Sequence, residues 1–250
     1  MNNIFVSDLI CANNSIEESK KFFIENNIKN IEFFIENQDI EHSKKLESLL
    51  KGLELEKISF HASYRYFLLT CSEEKWSLME QDFKKSIEIC KKYHGDFLVL
   101  HTNEGINNIC LDKKILEERI LKLVKLGKDN GIKIVIENVG VGENMLYNQE
   151  EYIKLIQKYN FYSLIDIGHA IANKWSIPHI ITELKENILA YHFHNNNGES
   201  DLHNPIKDGI ANFEEIMLLV KEYTPRANIV LEYSAITPKK EILNTLNILK

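Results

Sequence analysis

Apolar and polar positions follow two periods that trade places along the chain. Short β-branched and aromatic runs predict strands over Asn3–Ser7, Lys29–Phe34, Lys57–Ala62, Asp96–His101, Lys133–Asn138, Tyr162–Asp166, Ile188–His194 and Asn228–Tyr233. Between them apolar residues recur at helical spacing, as at Leu116, Ile120, Leu123 and Val124. Start and stop signals punctuate these stretches. Ser15 with Glu18 reads as a capping box, and Ser72 opens a pattern from Glu73 to about Tyr93. Asp112 opens the next, which ends near Asn130-Gly131, and Thr237-Pro238 opens the last. The runs FLVLH and IVIEN are almost wholly apolar, as parallel strands covered on both faces are. Eight strands alternating with helices predict an α/β fold, a (β/α)8 barrel with a parallel eight-stranded sheet, over residues 1–250 as one domain. An open doubly wound sheet usually has fewer strands.

Composition changes this picture little. A chain of 250 residues, 44% apolar, has enough material for a large core. No apolar run reaches membrane-spanning length, and MNNIFVSDLI lacks a secretory pattern. Cys11, Cys71, Cys90 and Cys110 form no CxxC pair, so the expectation is reduced thiols in a cytoplasmic chain with no membrane partner. A formal charge of −7 weighs against a surface built to grip nucleic acid. No glycine-rich phosphate loop is present, so no nucleotide cofactor is expected.

The chemistry gathers where strands end, which in such a barrel is where the site forms. Strand three ends at His61, strand four at His101, and strand five at Glu137. Strand six ends at Asp166, followed by His169; strand seven carries His192 and His194, with Asp201 and His203 in its loop; strand eight ends at Glu232. Six of the nine histidines fall in these positions; His42, His94 and His179 belong to helical stretches and are expected to face water. One such residue alone is usually a solvated or hydrogen-bonded side chain. The set is different, because carboxylates crowded into one funnel need cations beside them. Glu137, Asp166, a strand-seven histidine and Glu232 come from four consecutive strands and offer donors that zinc or manganese favours. His192 and His194 are two apart and share a side; His192 lies deeper and is the favoured ligand, with His194 a neighbour touching substrate.

At these residues the sequence resembles the xylose isomerase-like barrel superfamily, which holds sugar and sugar-phosphate isomerases and epimerases and the endonuclease IV family. The resemblance runs from about His61 to Glu232, through DIGH at Asp166–His169 and HFHNNNGESDLHNP from His192. It implies a divalent metal (Zn, Mn, Mg or Co) on Glu137, Asp166, His192 and Glu232, a substrate-contacting role for Glu143, and a homodimer. Asn195 stands where an aspartate is usual, and Lys207-Asp208 where a Gly-Glu-Gly turn is common. The arginine that ketose 3-epimerases carry after the strand-seven histidine has no match. A trinuclear endonuclease IV-type site would add His61, His101, His169, Asp201 and His203 to the ligands.

The resulting expectation is isomerisation or epimerisation of a small sugar or sugar phosphate through a metal-stabilised enediolate. Glu137 and Glu232 would move the proton, and His61, His101, His169 and His203 would orient hydroxyls. Phe67 and Trp175 would wall off water or simply pack. Metal-dependent hydrolysis of abasic DNA is the alternative. A barrel that binds sugar without turnover is a third reading, disfavoured because both acid–base glutamates are present.

Overall fold

The computed structural model describes residues 2–63, 72–103 and 113–249. Its eight strands are β1 (Ile4–Ser7), β2 (Asn30–Phe34), β3 (Lys57–His61), β4 (Leu98–His101), β5 (Ile134–Glu137), β6 (Tyr162–Asp166), β7 (Ile188–Phe193) and β8 (Asn228–Leu231). All pair in parallel, in sequence order, and β8 closes on β1 through Ile4↔Ile229 and Phe5↔Val230. The predicted (β/α)8 barrel is the observed architecture.

The helices among the described residues are α1 (Ile16–Glu25), α2 (Ile40–Gly52), α3 (Glu73–Lys92), α4 (Lys113–Asp129), α5 (Gln149–Tyr159), α6 (Ile167–Ala172), α7 (Ile177–Leu184), α8 (Phe213–Tyr223) and α9 (Lys239–Leu249). The β6–β7 connection thus carries two helices where one was expected, broken at the Asn173–Ser176 turn. Ser15 and Glu18 form the reciprocal capping box at α1, and Ser72 caps α3 through the Lys75 amide. Such caps stabilise a helix by about 1 kcal/mol each. The expected Asp112 cap lies outside the described residues, and α9 begins one residue after Pro238.

Strand residues alternate between two apolar layers. Phe5, Phe97, Val99, Val135, Leu164, Ala190 and Val230 plug the barrel interior. Val6, Ile31, Phe33, Leu98, Ile136, Ile165, Tyr191 and Leu231 face outward under the helices. Period-two alternation then fixes what comes next inside. Two residues beyond the plug stand His101 after Val99, Glu137 after Val135, Asp166 after Leu164, His192 after Ala190 and Glu232 after Val230.

Several ladders stop short of the predicted ends. Asn138, His194 and Glu232 lie just past β5, β7 and β8. Side chains and loops take over the backbone pairing there. The Asn138 amide receives the Asp166 N–H and donates to the Asp166 carbonyl, and Asn195 pairs its backbone with Asn204. Cys11 and Cys90 are free and buried, while Cys71 and Cys110 lie outside the described residues. No helix among the described residues is long and apolar enough to cross a membrane.

Candidate metal centre

At the centre, His192 Nδ1 lies 3.2 Å from Glu232 Oε2, 3.6 Å from Glu137 Oε1 and 3.6 Å from Asp166 Oδ2. The other ring nitrogen, Nε2, is 2.8 Å from Glu32 Oε1. All five side chains are buried, with only Glu137 and Glu232 keeping an edge on the space above. Nδ1 is a buried polar atom without a hydrogen-bond partner, facing three carboxylate oxygens. One imidazole nitrogen and three carboxylate oxygens suit zinc or manganese, so the residues present fit a divalent cation. Asp166 also caps α6, its Oδ1 accepting the His169 N–H at 2.6 Å, which fixes the direction of its second oxygen.

Two further donor groups flank this one. His61 Nε2 and His101 Nε2 are 2.9 Å apart and lie 3.3 and 3.0 Å from Glu137 Oε2. On the other side His169 Nε2 and His203 Nε2 lie 3.2 and 3.1 Å from the same oxygen of Asp201. His169 Nδ1 is set by the Asn138 carbonyl and His203 Nδ1 by the Glu232 carbonyl. His203 reaches its place with φ of 50°, a left-handed conformation uncommon outside glycine. All nine residues expected of the wider set therefore meet at the mouth.

Charge compensation follows from this crowding. Burial would raise Glu137, but the His101 and His192 imidazoles outweigh it and hold its carboxyl well below the ordinary range. Asp166 is held low in the same way by His169 and His194, and Glu232 by His192 and His203. Burial would lower His203, yet Glu232 and Asp201 push it up to about 9.

A cavity of about 590 Å³ opens above the donors, lined by His61, His101, Glu137, His169, Asp201, His203 and Glu232, with Leu9, Phe34, Val139, Leu202 and Ala235 as apolar wall. That volume lies within the range of small-molecule sites. Two expected contacts are not brought to it. Glu143 is exposed on the short turn Gly142–Asn144 and is not among the lining residues, although Val141 and Asn144 on either side of it are. His194 is completely buried: Nε2 is 2.9 Å from Asp166 Oδ2, and its ring stacks on His203 at 4.2 Å. It does not line the cavity, but its ring can offer a donor atom to a cation together with Asp166 and Glu232, or with Asp201 and His203, so both strand-seven histidines are candidate ligands. A Cβ on Gly168 would fall 1.8 Å from His194 Cε1, so the slot requires glycine.

Trp175 packs on Tyr152 at 5.8 Å, as ordinary core, and Phe67 lies outside the described residues. His94 is exposed and His179 pairs with Glu150, but His42 differs from expectation, its Nε2 turning inward to the Phe34 carbonyl at 2.9 Å.

The loop after β7 explains why an asparagine stands at position 195. Asn195 Nδ2 donates to the Ile206 and Ala211 carbonyls, while Oδ1 accepts from the Asn196 and Ala211 amides. Only an amide can do both; an aspartate would leave two carbonyls without a donor. A Cβ on Gly209 would fall 2.3 Å from Asn195 Oδ1, so the turn closes against this side chain. This clamp holds the span that carries Asp201 and His203. The residue missed altogether was Glu32. The available signal was a carboxylate in the middle of the apolar run IEFF on an interior strand.

The family model described as "Xylose isomerase-like TIM barrel" matches residues 23–250. The uncharacterized protein MJ1614 of Methanocaldococcus jannaschii is 24% identical over 188 residues, 72% of each chain. A D-tagatose 3-epimerase-like protein of known structure superposes with a TM-score of 0.82 at 22% identity, over 99% of this chain and 95% of that one. D-allulose 3-epimerase from Methylomonas sp., solved with D-allulose, gives 0.76 at 12% identity over 100% and 90%. At these identities the structural likenesses show the fold.

Proposed function

The chain belongs to the xylose isomerase-like TIM barrel family, and on that premise we propose that it is a divalent-metal-dependent isomerase or epimerase of a small sugar or sugar phosphate. One observation carries this reading. Glu137 and Glu232 both open onto the cavity, while Asp166, which groups with each of them as a possible cation donor, and His192 are buried beneath it. Two carboxylates facing one substrate space are what removal and return of a carbon-bound proton requires. The epimerases among the similar structures support the same direction.

Glu137, Asp166, His192 and Glu232 would hold the cation. When bound, it supplies Lewis acidity, polarising a substrate carbonyl so that the neighbouring C–H becomes more acidic. One of Glu137 and Glu232 takes the carbon-bound proton on a carboxylate oxygen, and the other returns a proton. Both are held ionised by neighbouring imidazoles and so are ready to accept. His61, His101, His169 and His203 all line the cavity and orient substrate hydroxyls through ring nitrogens. The apolar wall of Leu9, Phe34, Val139 and Leu202 limits water beside the reacting carbon.

The test is solvent-deuterium incorporation into a panel of ketoses and their phosphates with metal-loaded protein. Exchange is expected with at least one of them, and Glu232→Gln should slow it by about 10²–10⁴-fold. Full exchange in that variant would remove Glu232 from the chemistry.

The two flanking donor groups favour a second reading, an endonuclease IV-like phosphodiesterase acting on abasic DNA with several ions. Cleavage of an abasic-site duplex, with close to three zinc ions per chain, would establish it over the first.

A further inference from the structure

β2 outlasts one of its neighbours. Its pairing with β1 ends at Ser7↔Glu32, where the chain enters the short helical turn Asp8–Cys11, whereas its pairing with β3 runs on to Phe34↔His61. On the β3 side the Ile35 N–H bonds the His61 carbonyl at 2.9 Å. The Phe34 N–H and C=O face the edge that β1 has left, and backbone groups at such an edge need other partners. Two side chains take them. Asp8 Oδ1 accepts the Phe34 N–H at 3.1 Å, and His42 Nε2 lies 2.9 Å from the Phe34 carbonyl. A carbonyl can only accept, so His42 carries a proton on Nε2. His42 is itself fixed in the first turn of α2, its backbone N–H donating to the Asp39 cap at 3.0 Å.

What this clamp holds is a ring at the mouth. Phe34 and His61 both line the cavity, and their rings stack with centroids 4.4 Å apart and planes 18° from parallel. His61 Nδ1 meets the Ala62 carbonyl at 2.8 Å, which leaves the lone pair on Nε2, 2.9 Å from His101 Nε2. That hydrogen bond sets the proton of the imidazole, and the Phe34 face sets its plane. We propose that Asp8 and His42 are positioning residues: by gripping both backbone groups of Phe34 they hold the ring against which His61 is aimed into the cavity. The inference rests on the reading that His61 orients a substrate hydroxyl. Neither Asp8 nor His42 lines the cavity, so each acts through Phe34.

The experiment reads the His61 ring protons by NMR in full-length protein labelled with ¹³C,¹⁵N-histidine, at one metal content throughout. His61→Asn and His42→Gln identify the two histidines. The Phe34 ring current should displace the His61 protons upfield relative to Phe34→Leu. Asp8→Ala and His42→Ala should each lose most of that displacement. Asp8→Asn keeps an acceptor and His42→Gln keeps a donor, so both should retain it. Urea titrations run in parallel, and the displacement should follow the hydrogen-bonding group and not the stability. With a ketose that exchanges deuterium, kcat/KM should fall about 10–100-fold in the Ala variants and recover in Asp8→Asn and His42→Gln, because a misplacement of about 1 Å can cost about 10²-fold. Folded Ala variants that keep the wild-type displacement, or a wild-type His42 with no proton on Nε2 in long-range proton–nitrogen spectra, would overturn the clamp. The second measurement is made on the wild-type protein, so it stands even where an Ala variant fails to fold. A lost displacement with unchanged kcat/KM would overturn the role in orienting substrate. Exchange from no sugar would overturn the functional reading, while the ring shifts still decide the clamp.

Discussion

Four buried carboxylates, Glu32, Glu137, Asp166 and Glu232, surround one imidazole, His192. Burying a charge costs several kcal/mol unless its opposite is adjacent. The surrounding histidines supply that opposite charge, and the same residues can hand over their lone pairs to a cation. Asp8 is a useful contrast, since burial is the largest influence on its carboxyl and no imidazole of the mouth offsets it. Burial pushes its carboxyl up to about 6, against the lowering effect of the Phe34 amide, His42 and Lys45. A raised folded-state value means that its stabilising contribution is fully present below its unfolded value near 4. It is lost as pH rises through 6. Asp8→Asn can still accept the Phe34 N–H, so it should stabilise the protein by about 1–3 kcal/mol above pH 7 and by nothing below pH 4. Paired urea titrations across that window check the sign. Gly168 supplies another single-atom test. Gly168→Ala forces a methyl into the His194 ring and should cost about 1–3 kcal/mol, read by the same titrations. A neutral outcome would mean that His194 does not occupy this slot.

Among the elements, the β7 loop has the most specific design. Asn195 makes four hydrogen bonds that tie Asn196, Ile206 and Ala211 together, with Asp201 and His203 held between. Asn195→Asp removes two donors from buried carbonyls and should loosen the loop before the barrel. Amide exchange over residues 196–211 should accelerate by at least about 10-fold, with the strand amides unchanged; uniform exchange across the loop and strands would contradict a local clamp. The helices and strands themselves were legible in the sequence because caps and apolar periods are local signals. Ser15, Glu18 and Ser72 act where they were expected to act. The loop was not legible. Asn195 registered only as a departure from a pattern, because its four partners lie up to sixteen residues away and are joined only once the chain turns back on itself.

The whole barrel explains why six separate strand ends could be read as one site. Parallel strands in sequence order, closed on themselves, bring every inward-facing residue just above the plug to the same ring. Alternation from Val135 to Glu137, or Ala190 to His192, is visible in the sequence alone. Closure does not say which inward residues are supports, so Glu32 went unread and His194 was assigned to substrate. Nor does it show loop aim, which leaves Glu143 exposed on its turn. Cation binding should stabilise the entire fold, because the donors come from strands five to eight. At a free concentration about 100 times Kd the gain is about 2.7 kcal/mol, or roughly 5–10 °C in Tm for a chain of this size. A melting curve indifferent to EDTA and to added Zn²⁺ or Mn²⁺ would contradict that coupling.

Everything proposed about turnover depends on Glu137, Asp166, His192 and Glu232 sharing one cation. Crystals grown with zinc, with diffraction recorded above and below the zinc absorption edge, locate such an ion directly. An anomalous peak bounded by His192 Nδ1 and the three carboxylates is the expected result. No peak there, with those carboxylates turned apart, would be incompatible with the metal centre and with the chemistry assigned to it.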